Sequence, residues 1–274
     1  HSAPSTKNPS NHFDVVVIGA GISGLTAAAF LTQAGARLLV CEQASQVGGL
    51  FNSFSRAGYQ FDGGIKAVEN SSVLMPMLAQ LGILDRIQFQ LSPIALITGD
   101  RLQSIRNFSD VEAYFKWLGE LFPSEQDGLK RILGDTKTVF ELLDGMLSFP
   151  IPFFDLPGSG NNARAEWFKR HGALLARMPR AAKLLKQDLR PYLQQSLENP
   201  DLINLLSDLF PDGTSAFFGL GYFRMFLDYY YPRGGIQTIP RVMADTIREH
   251  GGEIRLDTGV DRILLHAGQA CGVR

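Results

Sequence analysis

The segment from Asp14 to Glu42 constrains this chain more than any other, because its order of patterns matches one supersecondary unit. An apolar run of four residues, VVVI at 15–18, is short enough for a buried parallel strand. The glycine turn GAGISG at 19–24 follows at once, and a helical pattern comes next. A second apolar run, LLVC at 38–41, then delivers Glu42. Strand, glycine turn, helix, strand and terminal acid together predict a dinucleotide-binding unit.

Each glycine of the turn has a separate predicted role. Gly19 permits the tight turn, Gly21 lets the backbone approach a pyrophosphate, and Gly24 lets helix and strand pack closely. The helix then directs its unpaired N–H groups and its positive dipole end at the phosphates. The predicted phosphate-binding residues are therefore Gly19, Gly21, Ile22, Ser23 and Gly24. The alternative is a glycine turn that serves only the fold.

Glu42 predicts which nucleotide the unit accepts. It lies 18 residues beyond Gly24, where a carboxylate accepts hydrogen bonds from both ribose hydroxyl groups of an adenosine. The same negative charge repels a 2′-phosphate, so NADP is disfavoured. Glu42 and the adjacent Gln43 are the predicted ribose-side cofactor residues.

The composition is that of an ordinary globular chain. Of its 274 residues, 45% are apolar and 19% are charged, and the formal net charge is −1. This length favours one or two domains, and the balanced charge gives no drive toward nucleic acid. The two cysteines, Cys41 and Cys271, argue against a disulfide framework and predict a reducing, cytoplasmic compartment.

The sequence gives no sign of a signal peptide, a membrane-spanning segment or a metal site. Residues 1–12 are polar and lack the apolar core of a signal peptide, so they are predicted to form a disordered leader. No apolar run reaches the length that spans a bilayer. No His–carboxylate or Cys–His pattern marks a nucleophile or metal site, so no metal is predicted and the catalytic residues are left unassigned.

A second glycine pair, Gly48-Gly49, follows Glu42 after a short loop, and the segment Phe61-Asp62-Gly63-Gly64 comes next. This arrangement resembles the FAD-binding half of the flavoprotein superfamily shared by amine oxidases and carotenoid desaturases. The resemblance implies that the Gly48-Gly49 backbone runs beneath the flavin's diphosphate and ribityl chain. It also implies that Asp62, Gly63 and Gly64 approach the isoalloxazine ring. The alternative for the second segment is a hairpin turn in which Asp and Gly do only turn work.

One position departs from the superfamily pattern. Leu50 stands where these families often carry an arginine that contacts phosphate, so one charge contact is missing. Leu50 is nevertheless placed among the predicted cofactor residues because of its position.

The patterns change between residues 86 and 233. Short apolar runs at 87–91, 94–98 and 102–105 favour antiparallel strands over another βαβ unit. Helical patterns follow, and Ser109 is predicted to begin the first of them. We therefore predict an α/β fold: a Rossmann-like FAD-binding domain, residues 13–85 and 234–274 and incomplete at its C-terminus, with an inserted α+β, largely helical substrate or cap domain, residues 86–233.

Residues 149–190 combine an apolar, proline-rich loop with a basic amphipathic stretch. Eight cationic and two acidic residues lie between Arg164 and Arg190. Such a segment suits peripheral contact with a membrane surface, where cations meet anionic lipids. The alternative is a solvated helix face over a cap.

Residues 216–231, AFFGLGYFRMFLDYYY, are dense in aromatic side chains. They could line a pocket for a large apolar substrate. An aromatic stripe at helical spacing is also what an ordinary core requires, so both interpretations stay open.

These residues, together with the block YPRGGIQTIPRVMADTIREHGGEIRLDTGVDRI at 231–263, resemble the FAD-dependent phytoene desaturase, carotenoid cis-trans isomerase and retinol saturase group. Within this block a helix is predicted at 241–250 and a strand at 260–265. The resemblance implies that the backbone of Val260 meets the adenine. It also implies that the chain is an N-terminal portion, completed by further residues of the same protein or by a second chain.

Three functions are compatible with these patterns. The first is an FAD-dependent oxidoreductase that desaturates, saturates or isomerises a large apolar polyene or isoprenoid-like substrate. The second is an amine or amino-acid oxidase-like flavoenzyme. The third, which is not an enzyme, is a prenyl-binding escort-like protein, and the intact glycine turn with Glu42 argues against it.

Overall fold

The computed structural model describes residues 12–69, 73–99, 101–147, 165–166, 169–170, 172 and 178–274. The chain divides into two compact units. Unit 1 comprises the residues up to Val68, Met77–Gln90 and Tyr230–Arg274, and unit 2 comprises Glu69–Pro76 and Leu91–Tyr229.

Twelve strands lie within the described residues: β1 (Val15–Ile18), β2 (Leu38–Cys41), β3 (Ser53–Arg56), β4 (Tyr59–Asp62), β5 (Val68–Glu69), β6 (Phe89–Leu91), β7 (Ile94–Thr98), β8 (Arg101–Ile105), β9 (Tyr229–Pro232), β10 (Glu253–Arg255), β11 (Ile263–His266) and β12 (Gln269–Val273). The longer helices there are α1 (Ile22–Gln33), α2 (Leu74–Gln80), α3 (Phe108–Leu121), α4 (Gln126–Leu147), α5 (Met178–Leu185), α6 (Leu189–Gln194), α7 (Pro200–Ser207), α8 (Ala216–Met225) and α9 (Thr238–Glu249).

Unit 1 is built on a parallel sheet in which β2 lies between β1 and β10. All four residues of β2 are buried, as a central parallel strand with helices on its faces requires. Helix α1 packs against β2 and against α9, and the buried apolar residues of these two helices include Leu25, Ala28, Ile239, Met243 and Ile247. The predicted strand–helix–strand unit is therefore present, and the α/β fold class is confirmed.

Two antiparallel hairpins extend unit 1. In the first, β3 pairs with β4 and brings Ser53 opposite Asp62. In the second, β11 pairs with β12 around a register shift between Leu264 and Leu265.

Unit 2 combines one antiparallel hairpin with a set of helices. Strands β7 and β8 pair as predicted, with Ile94 opposite Ile105. The helices bury a continuous apolar core to which Val111, Leu118, Ile132 and Leu202 contribute. Two buried carboxylates are held inside this unit: Glu125 accepts hydrogen bonds from the backbone N–H groups of residues 198 and 199, and Asp135 accepts one from a tyrosine.

Three predicted boundaries are wrong. Helix α3 is capped by Asn107, whose side chain accepts from the Asp110 N–H, rather than by Ser109, which lies inside the first turn. Helix α9 begins at Thr238 rather than 241, because Pro240 lies in the first turn, where it costs no hydrogen bond. Val260 belongs to the connection before β11, not to a strand.

Some predictions concern residues outside the described part of the chain. They include 1–11 of the proposed leader, and within the proposed membrane segment residues 149–164, 167–168, 171 and 173–177. In the part of the chain that is described, no helix combines the length and the apolar character needed to cross a membrane.

Candidate cofactor site

The glycine turn connects β1 directly to α1. Gly19 has a φ of +95°, which favours glycine, and its N–H donates a 2.8 Å hydrogen bond to the Cys41 carbonyl at the end of β2. Gly21 is the N-cap residue of α1, and no side chain caps this helix terminus. No acidic residue lies in its first turn either. The N–H groups and the positive dipole end of this terminus are therefore available to an anion.

The fold itself requires glycine at positions 19 and 24 but not at position 21. A Cβ atom on Gly24 would collide with the Gly19 carbonyl oxygen, so close packing of helix and strand requires glycine there. Gly21 differs: its φ of −68° suits any residue, and a Cβ atom would meet nothing within 4 Å. Because neither backbone conformation nor packing requires glycine at 21, its missing side chain matches the space that a bound diphosphate would fill.

Glu42 follows the last residue of β2, as predicted, and its carboxylate lies beside the turn. One carboxylate oxygen accepts from the Ala20 N–H at 2.6 Å and the other from the Ala44 N–H at 2.8 Å. A carboxylate offers about four lone-pair positions, so each oxygen keeps capacity for a ribose hydroxyl group. The acid is thus held at the end of β2 rather than extended into solvent.

The Gly48-Gly49 loop lies against the glycine turn. The Gly48 N–H donates to the Ala20 carbonyl at 2.8 Å, and Gly21 and Gly48 form an isolated parallel bridge. Gly48 and Gly49 have φ angles of +123° and +57°. A Cβ atom on Gly49 would approach the Gly21 Cα to 3.2 Å, so the Gly48-Gly49 loop requires its glycines where it meets the turn.

Leu50 is 73% exposed and provides no charge. The phosphate contact that an arginine would make at this position is therefore not replaced by Leu50 itself.

The segment around Val260 returns to the same strand end. The Thr258 N–H donates to the Glu42 carbonyl at 2.8 Å, and a Cβ atom on Gly259 would lie 3.8 Å from the Gln43 Cβ. Val260, which is partly buried, follows directly. The structure therefore brings the two residues before Val260 against Glu42 and Gln43, and Val260 itself lies outside a strand.

Asp62 is bound by groups of the chain itself. Its carboxylate accepts hydrogen bonds from the Ser53 hydroxyl at 3.0 Å, the Tyr231 hydroxyl at 2.6 Å and the Ile236 N–H at 3.1 Å. The hydrogen bond to Asp62, followed by burial, raises the pKa of Tyr231 to about 12. Asp62 therefore ties the β3–β4 hairpin to the segment that follows β9.

Gly63 and Gly64 continue from Asp62 along the loop that carries Leu50. The Gly63 N–H donates to the Asn52 carbonyl at 2.8 Å. A Cβ atom on Gly64 would collide with the Leu50 carbonyl oxygen. Glycine at both positions thus serves the close approach of these two chain segments.

Gln237 was not predicted as a site residue. It is only 2% exposed, and its side-chain amide donates to the Gln46 side chain at 3.0 Å and to the Val47 carbonyl at 3.3 Å. The side-chain amide oxygen of Gln237 accepts a hydrogen bond from the Arg241 side chain. Gln237 therefore holds the loop that precedes Gly48, and its position two residues after the Gly234-Gly235 pair was the available signal.

Among the described residues, no group of three or more His, Cys, Asp or Glu side chains could hold a metal ion.

Comparison with known families decides the assignment. Residues 22–274 match the family described as "Flavin containing amine oxidoreductase". The chain belongs to this family. The match confirms the predicted flavoprotein superfamily and the predicted flavin cofactor.

The curated relatives lie in the predicted branch of that superfamily. One is an all-trans-retinol 13,14-reductase from Macaca fascicularis, 31% identical over 95% of this chain and 44% of its own length. Another is a chloroplastic prolycopene isomerase from Daucus carota, 25% identical over 97% of this chain and 44% of its own length. The chain therefore spans less than half the length of these relatives.

Among solved structures, an oxidoreductase from Methanosarcina mazei superposes with a TM-score of 0.55, covering 94% of this chain and 54% of the other at 18% identity. At that identity the likeness concerns the fold.

The open space at Gly21, the uncapped helix and the held Glu42 carboxylate fit an FAD bound through its ADP half.

Proposed function

We propose that the protein is an FAD-dependent oxidoreductase that desaturates, saturates or isomerises a large apolar polyene or isoprenoid-like substrate. Two findings support the substrate class: the relatives are named for retinol and prolycopene, both of them polyenes built from isoprene units. When bound, FAD would supply the hydride chemistry, because the cofactor carries the redox step in such enzymes.

The observation that carries the proposal is the open space at Gly21. The diphosphate would lie there, against the N-terminus of α1, and Gly48-Gly49, which contacts Gly21, would lie beside it. Glu42 would accept the ribose hydroxyl groups, and Gln43 and Val260 would lie along the adenosine. The task of these residues is to bind and orient the cofactor.

The predicted domain roles are part of the proposal. Residues 13–85 and 234–274 would hold FAD, and residues 86–233 would hold the substrate. A cytoplasmic location and peripheral membrane contact through 149–190 remain predictions. Co-sedimentation with vesicles, with and without anionic lipid, tests the membrane contact, and binding that does not respond to salt contradicts it.

An amine oxidase-like enzyme is the second candidate, because the family takes its description from amine oxidation. The two candidates differ in product. Release of hydrogen peroxide with a panel of amines, and no turnover of retinol or carotenoids, would favour the second.

The test of cofactor binding is Gly21→Ala. The variant should fold nearly as well as the parent, since its Cβ atom meets no protein atom and the φ angle is ordinary. We expect its Kd for FAD, measured by quenching of flavin fluorescence, to rise at least about tenfold, equivalent to about 1.4 kcal/mol.

Gly134→Ala is the matched control. Gly134 lies in α4 with open space around its Cα, so alanine should leave FAD binding unchanged and support the helix slightly. Equal FAD affinities for the parent and Gly21→Ala would contradict the proposed diphosphate position. Failure of the parent chain to bind FAD would contradict the proposed function for residues 1–274.

A further inference from the structure

We infer that an aromatic pocket within unit 2 binds one end of an isoprenoid ligand. The inference rests on the proposed function for its class of ligand, and on the pocket itself for the place of binding. Five rings line the pocket: Tyr114, Phe210, Tyr222, Phe223 and Phe226.

The pocket walls are mainly apolar. Four leucines complete the lining beside the rings and Gly219, and among these described residues none carries a charge. With no charged residue in its lining, the pocket offers little to a charged ligand.

The rings form a connected set rather than isolated side chains. Tyr222 packs edge-on against Phe210 and Phe226, with ring centroids 5.2 and 4.9 Å away, and Phe223 lies 5.9 Å from Phe226. Such edge-to-face pairs are favourable beyond simple area burial, so they hold the walls in place. A pocket with fixed walls favours a ligand of matching shape.

The mouth of the pocket is also apolar, and it is exposed. Leu209 is 65% exposed, Leu205 40% and Phe218 46%, and the Phe218 ring lies 6.2 Å from that of Phe210. Singly exposed apolar residues are normal, but three beside a ring-lined opening form a continuous apolar surface.

The size of the pocket determines how much of a ligand enters. Its volume is about 70 Å³, whereas a site that encloses a drug-sized ligand measures about 300–1,000 Å³. Only an end group therefore fits inside, and the remainder of the ligand lies across Leu205, Leu209 and Phe218. A branched, methyl-bearing isoprenoid end followed by an extended polyene has this form.

The test uses the chain without FAD, so that ligand binding is read independently of the flavin. All-trans-retinol is titrated while energy transfer from tryptophan is recorded. Trp117 lies 6.0 Å from the Tyr114 ring that lines the pocket, which makes it a suitable donor. We expect Leu209→Glu to raise the Kd of retinol about tenfold, because a charge at the mouth must be desolvated when the ligand binds.

Leu121→Glu is the matched control. Leu121 is an exposed leucine of unit 2 that does not line this pocket, so the same charge there should change the Kd less than twofold. Equal effects of the two variants, or no retinol binding by the parent, would overturn the inference. Circular dichroism checks that both variants are folded.

A competition arm tests the class of ligand. Farnesol, an isoprenoid alcohol, should displace retinol at a lower concentration than the straight-chain 1-dodecanol. If dodecanol competes equally well, the isoprenoid assignment is wrong. The FAD titration of Gly21→Ala is a separate measurement, so failure of the cofactor site and failure of this pocket remain distinguishable.

Discussion

The hydroxyl group of Tyr231 donates a 2.6 Å hydrogen bond to the carboxylate of Asp62, 169 residues earlier in the chain. The same carboxylate also accepts from Ser53 and from the N–H of Ile236. One side chain thus joins the first hairpin of unit 1 to the segment that leads into α9.

Replacement of Asp62 by alanine should destabilise unit 1. It would leave three donors without their acceptor, and a loss of about 2–4 kcal/mol in the free energy of unfolding is expected. Urea denaturation at pH 7 measures it. Asp261→Ala, which removes an exposed carboxylate of the same unit, is the control. Equal stabilities of the two variants would show that the Asp62 bonds contribute nothing.

The Tyr231–Asp62 bond should give a pH-dependent contribution. The pKa of Tyr231 is raised to about 12 in the folded chain from an ordinary value of 10, so the bond stabilises fully below pH 10. Between pH 10 and 12 the unfolded chain loses this proton first, and the contribution disappears. Tyr231→Phe should therefore be about 1 kcal/mol less stable than the parent at pH 7, with the gap closing toward pH 12. A gap that is constant from pH 7 to 12 would refute this.

Glu42→Gln should weaken flavin binding and also cost some stability. The amide keeps one acceptor oxygen, but its NH₂ group must face either the Ala20 or the Ala44 N–H. We expect a loss of about 1–2 kcal/mol in the free energy of unfolding and a Kd for FAD about tenfold higher. Glu249→Gln, in an exposed ion pair with Arg86, is the control. Unchanged FAD affinity in Glu42→Gln would contradict the proposal that Glu42 binds the ribose hydroxyl groups.

Tyr192→Phe should destabilise unit 2. The Tyr192 hydroxyl donates a 2.8 Å hydrogen bond to buried Asp135, whose other oxygen pairs with Arg180. Burial, followed by the Asp135 charge, raises the pKa of Tyr192 well above its usual value. Loss of the hydroxyl should cost about 1–3 kcal/mol, read by tryptophan fluorescence in urea. Tyr59→Phe, at an exposed position, should cost almost nothing, and a matching loss there would contradict the explanation.

The features that the sequence predicted correctly are those whose cause is local. The strand, glycine turn and helix from Val15 to Gln33 follow from residue types within about twenty positions. Asn199 caps α7 for an equally local reason, because the proline that follows it suits the first turn of a helix. Asn107 was missed because Ser109, two residues on, is an equally acceptable cap by type, and tertiary packing decides between them.

The part of the site that the sequence did not predict depends on contacts between distant residues. That Asp62 approaches the flavin stays a prediction, but the sequence did not show that its carboxylate binds groups up to 174 positions away. Gln237 was missed for the same reason, because its partners Gln46 and Val47 lie about 190 residues earlier. A single sequence gives the spacing of residues along the chain, but it does not give the partner of a buried polar group.

The two backbone N–H groups that hold Glu42 have a consequence for the energetics of flavin exchange. Fixing the rotamers of a free glutamate costs up to about 2 kcal/mol in conformational entropy. In this chain the entropy is lost when the protein folds rather than when flavin binds, because the N–H groups of Ala20 and Ala44 already orient the carboxylate. Preorganisation of this kind raises affinity by lowering the entropy lost on association. In the proposed complex, rebinding of flavin after its removal therefore requires no reorientation of the Glu42 carboxylate.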